Sequence, residues 1–164
     1  MTYATTDLSD AHPDAQVAEP IFGDFGGRIA FHGPIRTVKV FEDNAMVRAL
    51  LEERGEGHVL VVDGGGSTRC ALVGGNLGQL GVDNGWAGIV VYGYIRDSEE
   101  IAEQDIGVKA LGTHPRKSEK GLHNGKREKV VSFAGVTFKP GAWLYADADG
   151  IVVSDQPIHK ESGK

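Results

Sequence analysis

Val59-Leu-Val-Val-Asp63 runs straight into Gly64-Gly-Gly66, and this stretch decides the fold. A continuous apolar run bounded by a turn signal reads as a strand covered on both faces, the pattern of parallel sheets. The glycines at its carboxyl end let the chain turn sharply. The pattern returns in Trp86-Ala-Gly-Ile-Val-Val-Tyr92, where Gly93 marks the matching turn. Between the two runs, Leu77 to Val82 predicts a helix, and Asp97 to Gln104 predicts a short one after the second. Upstream, Ile35 to Phe41 reads as a strand behind Gly33-Pro34. Met46, Val47, Leu50 and Leu51 recur at helical spacing after the potential caps Asp43 and Asn44, and Gly55 to Gly57 ends that helix. Strand, glycine turn and helix alternate, which is α/β order.

Working outward, Met1 to Pro20 is polar and weakly helical, with Pro13 as a breaker, and Phe22 to Arg28 holds a glycine turn. Beyond Val108 to Gly112 a basic loop from His114 to Lys129 leads into strands at Val130 to Phe133, Val136 to Phe138, Trp143 to Ala146 and Ile151 to Val153. No internal repeat, low-complexity tract or linker divides the chain. The expected architecture is one compact α/β domain over residues 1–164, a central mixed sheet flanked by helices with a β-rich C-terminal half.

Composition bounds the function. At 164 residues with 40% hydrophobic content, the chain is one domain long and supports a packed core. A net charge of -6 argues against coating nucleic acid or an anionic membrane, both of which need a cationic surface. One cysteine, Cys70, makes no internal disulfide, the first ten residues carry no export signal, and no apolar stretch is long enough to cross a bilayer. The expected compartment is the cytoplasm.

Gly64-Gly-Gly66 does not complete a dinucleotide fingerprint, because the third glycine would fall at position 69, which holds Arg69. Ser67 sits outside a nucleophile elbow, the six histidines show no metal spacing, and Lys39, alternating with Val38 and Val40, reads as solvated rather than as a Schiff-base lysine. Gly74-Gly-Asn-Leu-Gly78 says more: it opens a helix whose unpaired N–H groups either hold an anion such as a carboxylate or simply begin an ordinary helix. Arg96-Asp97 follows a parallel strand, at the sheet edge where α/β proteins bind ligands. Twenty residues separate Gly75 from Arg96, one helix and one strand, so both can reach one pocket. Asp97 suits a hard cation, with Glu100 one helical turn away to orient a bound water. On spacing alone, a helix cap by Asp97 is the plainer reading. Six of the seventeen Lys and Arg lie between Arg116 and Lys129. With Glu119 and Glu128 interleaved and no aromatic residues, this segment reads as a solvated loop rather than an RNA contact, steering of anionic substrates being the other option.

Taken together, Phe25-Gly-Gly-Arg28, Val38 to Asn44, Val61 to Ser67, Trp86 to Gly93, Asp105-Ile-Gly107, Gly135 to Phe138 and Tyr145-Ala-Asp147 span nearly the whole chain. They resemble the regulators of ribonuclease E activity A and their relatives, the 4-hydroxy-4-methyl-2-oxoglutarate aldolases. The aldolase branch carries a glycine, twenty residues, Arg-Asp, two residues and an acid, matched here by Gly75, Arg96, Asp97 and Glu100. The regulator branch often lacks the aspartate. Many relatives carry an acid where this chain has Gly75, and longer aldolases supply a partner acid from a tail beyond the position of Lys164.

The resemblance implies a swivelling-domain-like α/β/α sandwich. It also implies a substrate cradle at Gly74, Gly75, Asn76 and Leu77 for the carboxylate of a 2-oxo acid, and Mg²⁺ or Mn²⁺ on Asp97, with Glu100 beside the bound waters. Arg96 would be catalytic, stabilising the pyruvate enolate left by cleavage of 4-hydroxy-4-methyl-2-oxoglutarate or by decarboxylation of oxaloacetate. A homotrimer or a dimer of trimers is expected, with the site near the subunit boundary. The alternative implied function is inhibition of ribonuclease E by protein contact. No glycine motif for S-adenosylmethionine supports a methyltransferase.

Overall fold

A computed structural model describes residues 3–160. The chain enters through helix α1 (Thr5–Ala11) and two short strands, β1 (Gln16–Val17) and β2 (Gly23–Asp24). Then come β3 (Phe31–Lys39), α2 (Ala45–Leu51), β4 (Val59–Asp63) and β5 (Ala71–Val73). They are followed by α3 (Gly75–Asp83), β6 (Gly88–Ile95), α4 (Ser98–Ile101) and β7 (Gly107–Thr113). The closing strands are β8 (Lys126–Arg127), β9 (Val131–Phe133), β10 (Val136–Phe138), β11 (Trp143–Asp147) and β12 (Gly150–Ser154).

Ten strands form one mixed sheet in the order β1-β12-β11-β3-β4-β6-β7-β2, with β5 beside β6 and β8 beside β3. Neighbours β3, β4, β6 and β7 run parallel, while β11 joins β3 antiparallel and β12 joins β11 antiparallel. The apolar run of β4 is explained by its position, since all five of its residues are buried. Leu60 and Val62 pack into a core with Val47, Leu50 and Leu51 of α2 and Leu77 of α3. Val59 and Val61 face a second core with Phe133, Val136 and Phe138 of the β9–β10 hairpin. Each such side chain contributes roughly 1.5–3 kcal/mol by leaving water. Residues of α2, α3 and α4 enter the first core, and the layer on the other face is the hairpin.

Two details differ from the sequence expectation. Gly93 is not a turn: β6 runs through it to Ile95, and the irregularity falls instead on the pairing with β7, whose register shifts between Val91 and Tyr94. The three-residue strand β5, pairing with β6 in parallel, has no counterpart in the sequence reading. Both details shape the site, since β5 and β6 end side by side, one at the Gly74 turn and the other at Arg96.

Candidate active site

Gly74 is the residue before α3, and Arg96 and Asp97 are the residues between β6 and α4. Adjacent parallel strands deliver both segments to the same sheet edge, the carboxyl edge where open α/β sheets bind ligands. A bond from Arg96 N–H to the Val73 carbonyl, 2.9 Å, ties them together. Gly74, Asn76, Leu77, Arg96 and Asp97 all line one cleft of about 800 Å³.

Asp97 adopts left-handed backbone angles, φ 59° and ψ 43°, and its side chain makes no capping bond to α4. The plainer reading of Asp97 as a helix cap therefore does not hold. Instead its Oδ2 accepts the Gly75 N–H at 2.9 Å, reaching across to the N-terminus of α3. A carboxylate is favoured there by the helix dipole and by the unpaired amides of the first turn. The consequence is that Gly75 N–H is engaged by Asp97. The first-turn amides of Asn76 and Leu77 remain for a ligand.

Glu100 arrives at the same point from the other side. A Cβ at position 75 would lie 1.6 Å from Glu100 Oε2, so the carboxylate fills the room that a side chain at Gly75 would take. Glu100 does not line the main cleft. With Asp97, Ser98 and Glu99 it borders a smaller depression next to it. Two carboxylates thus meet at Gly75, whose carbonyl accepts a 2.9 Å bond from the buried Gln104 Nε2. Among the described residues no group of three or more His, Cys, Asp or Glu has the arrangement of a metal cage. A divalent cation at Asp97 fits the alternative mode, in which one or two carboxylates hold the ion and leave its other positions to water and substrate oxygens.

The rest of the cleft lining consists mainly of residues that the sequence reading left outside the site. Asn44 and Arg48 come from α2 and the turn before it, and Arg116, Lys117, Ser118, Glu119 and Lys120 come from the basic loop. The loop is not merely solvated. Its Arg116 carbonyl accepts the Ala71 N–H of β5 at 2.8 Å, and Lys120 Nζ donates to Asn44 Oδ1 at 2.9 Å. Asn44 Nδ2 in turn donates to the Leu72 carbonyl at 2.9 Å. Asp43 fastens the far end, accepting N–H bonds from Ala45 and Leu122, each at 2.9 Å. Burial opposes ionisation of Asp43, but bonds from Ala45, Leu122, His123 and Gly121 outweigh it and hold the carboxyl below the usual carboxylate range. The signal that this loop belongs to the site was its charge, contrary to that of the chain as a whole. Five cations and two carboxylates line the cleft of a protein whose net charge is -6. The arrangement favours a small polyanion.

Lys39 is exposed and Cys70 is buried, as expected of a solvated lysine and a packing cysteine. No helix among the described residues is long and apolar enough to cross a membrane.

Comparison with known proteins joins these features to a family. The family model described as Aldolase/RraA matches residues 5–153. A protein of Alkalilimnicola ehrlichii named "Putative 4-hydroxy-4-methyl-2-oxoglutarate aldolase" is 61% identical, over 94% of this chain and 96% of its own. The structure of the RNA-processing inhibitor RraA from Thermus thermophilis superposes with a TM-score of 0.93 at 47% identity, covering 99% of this chain and 98% of that one. A Geobacillus kaustophilus structure named S-adenosylmethionine: 2-dimethylmenaquinone methyltransferase also gives 0.93, at 49% identity, covering 98% and 100%. Three activities are thus named on one backbone, and a shared fold does not choose among them. With one domain matched almost end to end, the chain belongs to the RraA-like family.

Proposed function

We propose that this protein is a divalent-metal-dependent aldolase that cleaves 4-hydroxy-4-methyl-2-oxoglutarate into two molecules of pyruvate, and that the same site decarboxylates oxaloacetate. The observation that carries this reading is the meeting of the α3 N-terminus, Arg96 and Asp97 in one cationic cleft. In the retro-aldol direction the C4 hydroxyl loses its proton, the C3–C4 bond breaks, and the electron pair passes through C3 to the C2 oxygen as an enolate. Protonation at C3 then gives pyruvate. Loss of CO₂ from oxaloacetate leaves the same enolate.

Asn76 and Leu77 N–H groups hold the C1 carboxylate, an interaction that the helix N-terminus strengthens. Arg96, which lies against Gly74, donates to the oxygen on which charge grows. Asp97 and, through water, Glu100 hold Mg²⁺ or Mn²⁺, which when bound supplies Lewis acidity toward the oxo group. No S-adenosylmethionine motif accompanies these groups, so the methyltransferase name on one relative does not transfer.

Pyruvate release from both substrates, followed with and without EDTA, tests the reading. Activity is expected to vanish in EDTA and return with Mg²⁺ or Mn²⁺, and undiminished activity in EDTA would reject the mechanism. Arg96→Ala is expected to lose about a hundred- to a thousandfold in rate, the usual cost of one such donor. A homotrimer or dimer of trimers in the cytoplasm is the assembly this reading carries, and light scattering reads its mass. The second reading, inhibition of ribonuclease E, is favoured by the name of the Thermus thermophilis relative. A protein that captures that enzyme and slows RNA cleavage, yet yields no pyruvate, belongs to this second class.

A further inference from the structure

Among the cations lining the cleft, Arg96, Arg116, Lys117 and Lys120 have no carboxylate within ion-pair distance among the described residues. Arg48 is paired only loosely, at 3.8 Å, with exposed Glu52. Arg96 belongs to the oxo-acid end. The others line the same cleft from α2 and the basic loop, and Lys120 is already directed by its bond to Asn44. Arg116 and Lys117 are exposed side chains on a fixed backbone: the Arg116 carbonyl is bonded to Ala71, and Lys117 pairs with Ala71 as an isolated bridge. Ala71 begins the strand that ends at the Gly74 turn. One short strand therefore joins two anion-seeking features that line one cavity.

We infer that Arg116 and Lys117 form a second-carboxylate subsite, which makes the cleft selective for dicarboxylic over monocarboxylic 2-oxo acids. The inference rests on the proposed reading of the Arg96 end as the oxo-acid site. It has a consequence that differs between the two reactions. In aldol cleavage the distal carboxylate keeps its charge throughout and departs as that of the second pyruvate, so the two cations hold it from start to finish. In decarboxylation the distal carboxylate loses its charge as it becomes CO₂, and a cation on it favours the ground state over the transition state. The loop thus tilts the site toward carbon–carbon cleavage that retains both carboxylates.

Binding of two uncleavable probes separates the possibilities: 2-oxoglutarate, a dianion, and 2-oxobutyrate, a monoanion, titrated calorimetrically into the full chain with Mg²⁺. The wild-type protein is expected to prefer 2-oxoglutarate by tenfold or more. In Arg116→Gln/Lys117→Gln this preference is expected to fall to about one, and the exchanged pair Arg116→Lys/Lys117→Arg to keep it. In the same neutral variant, the ratio of oxaloacetate decarboxylation to aldol cleavage, each as kcat/KM, is expected to rise tenfold or more. A preference and a ratio unchanged in the folded neutral variant would overturn the subsite while leaving the proposed function standing. A wild-type protein that binds neither probe and releases no pyruvate would overturn the proposed function, and this inference with it.

Discussion

Replacing Asp97 should separate stability from activity, because its backbone is strained and its side chain makes a single, partly buried bond. Its left-handed backbone is disfavoured for an L-residue by roughly 1–2 kcal/mol, less for Asp and Asn. Asp97→Gly recovers part of that and concedes about 0.5–1 kcal/mol of backbone entropy. The bond to Gly75 N–H comes from an exposed side chain, so solvent screening limits its worth to about 1 kcal/mol or less. These terms nearly cancel, and Asp97→Gly is expected within about 1 kcal/mol of the parent. Asp97→Asn keeps both the tolerance of the left-handed region and an oxygen for Gly75, so its stability should change by about 0.5 kcal/mol at most. The chemistry has no such compensation. In the proposed mechanism Asp97 is the protein ligand of the cation, so turnover should fall at least about a hundredfold in both variants. Urea unfolding reads the first quantity and coupled pyruvate release the second. Asp97→Asn that keeps more than a tenth of parental turnover would refute the metal role. A loss of more than 2 kcal/mol would show instead that Asp97 is mainly structural.

Three further outcomes are expected. Ser118 is buried in the cleft wall with its hydroxyl unpaired among the described residues. Removing an unsatisfied group should stabilise, so Ser118→Ala is expected to raise the urea unfolding free energy by up to about 1 kcal/mol. Gly78→Ala should do the opposite: its Cβ would lie 2.1 Å from Oε1 of the buried Gln104. Overpacking of about 1–3 kcal/mol exceeds the helix-propensity gain of about 1 kcal/mol, and a lower melting temperature with reduced turnover would report the displaced Gln104–Gly75 bond. Burial, with repulsion from His159 and Arg28, lowers the pKa of His32 from 6.5 to about 4. The unfolded chain therefore binds more protons in that window, so this contribution is intact above 6.5 and disappears as the pH falls toward 4. Urea midpoints measured across the window should fall less steeply for His32→Gln than for the parent.

The chain belongs to the RraA-like family, whose named relatives carry more than one activity, so the choice of substrate rests on the chemistry of the cleft. One sheet edge gathers an amide cradle, a guanidinium and a carboxylate, groups that suit formation of an enolate from a 2-oxo acid. The proposed subsite at Arg116 and Lys117 would add a preference for acids with a second negative charge.

What the sequence determined by itself was whatever local pattern records. Val59 to Asp63 and the run beginning at Trp86 announced buried parallel strands because burial on both faces removes polar alternation. Trp143 to Ala146 and Ile151 to Val153 were legible because Asp149-Gly150 turns the chain between them. Arg96-Asp97 could be set at a sheet edge by counting one helix and one strand from Gly75. Only the tertiary structure decided how the cleft is closed. The strand Ala71–Val73 is too short to carry a period, yet its N–H and carbonyl groups receive Arg116, Asn44 and Arg96. The basic loop reads as solvated because a charge run carries no record of its distant partners. The bond from Ala71 and the grip of Asp43 on Leu122, both long-range, bring that run into the lining of the cleft that Asn76 and Leu77 also border.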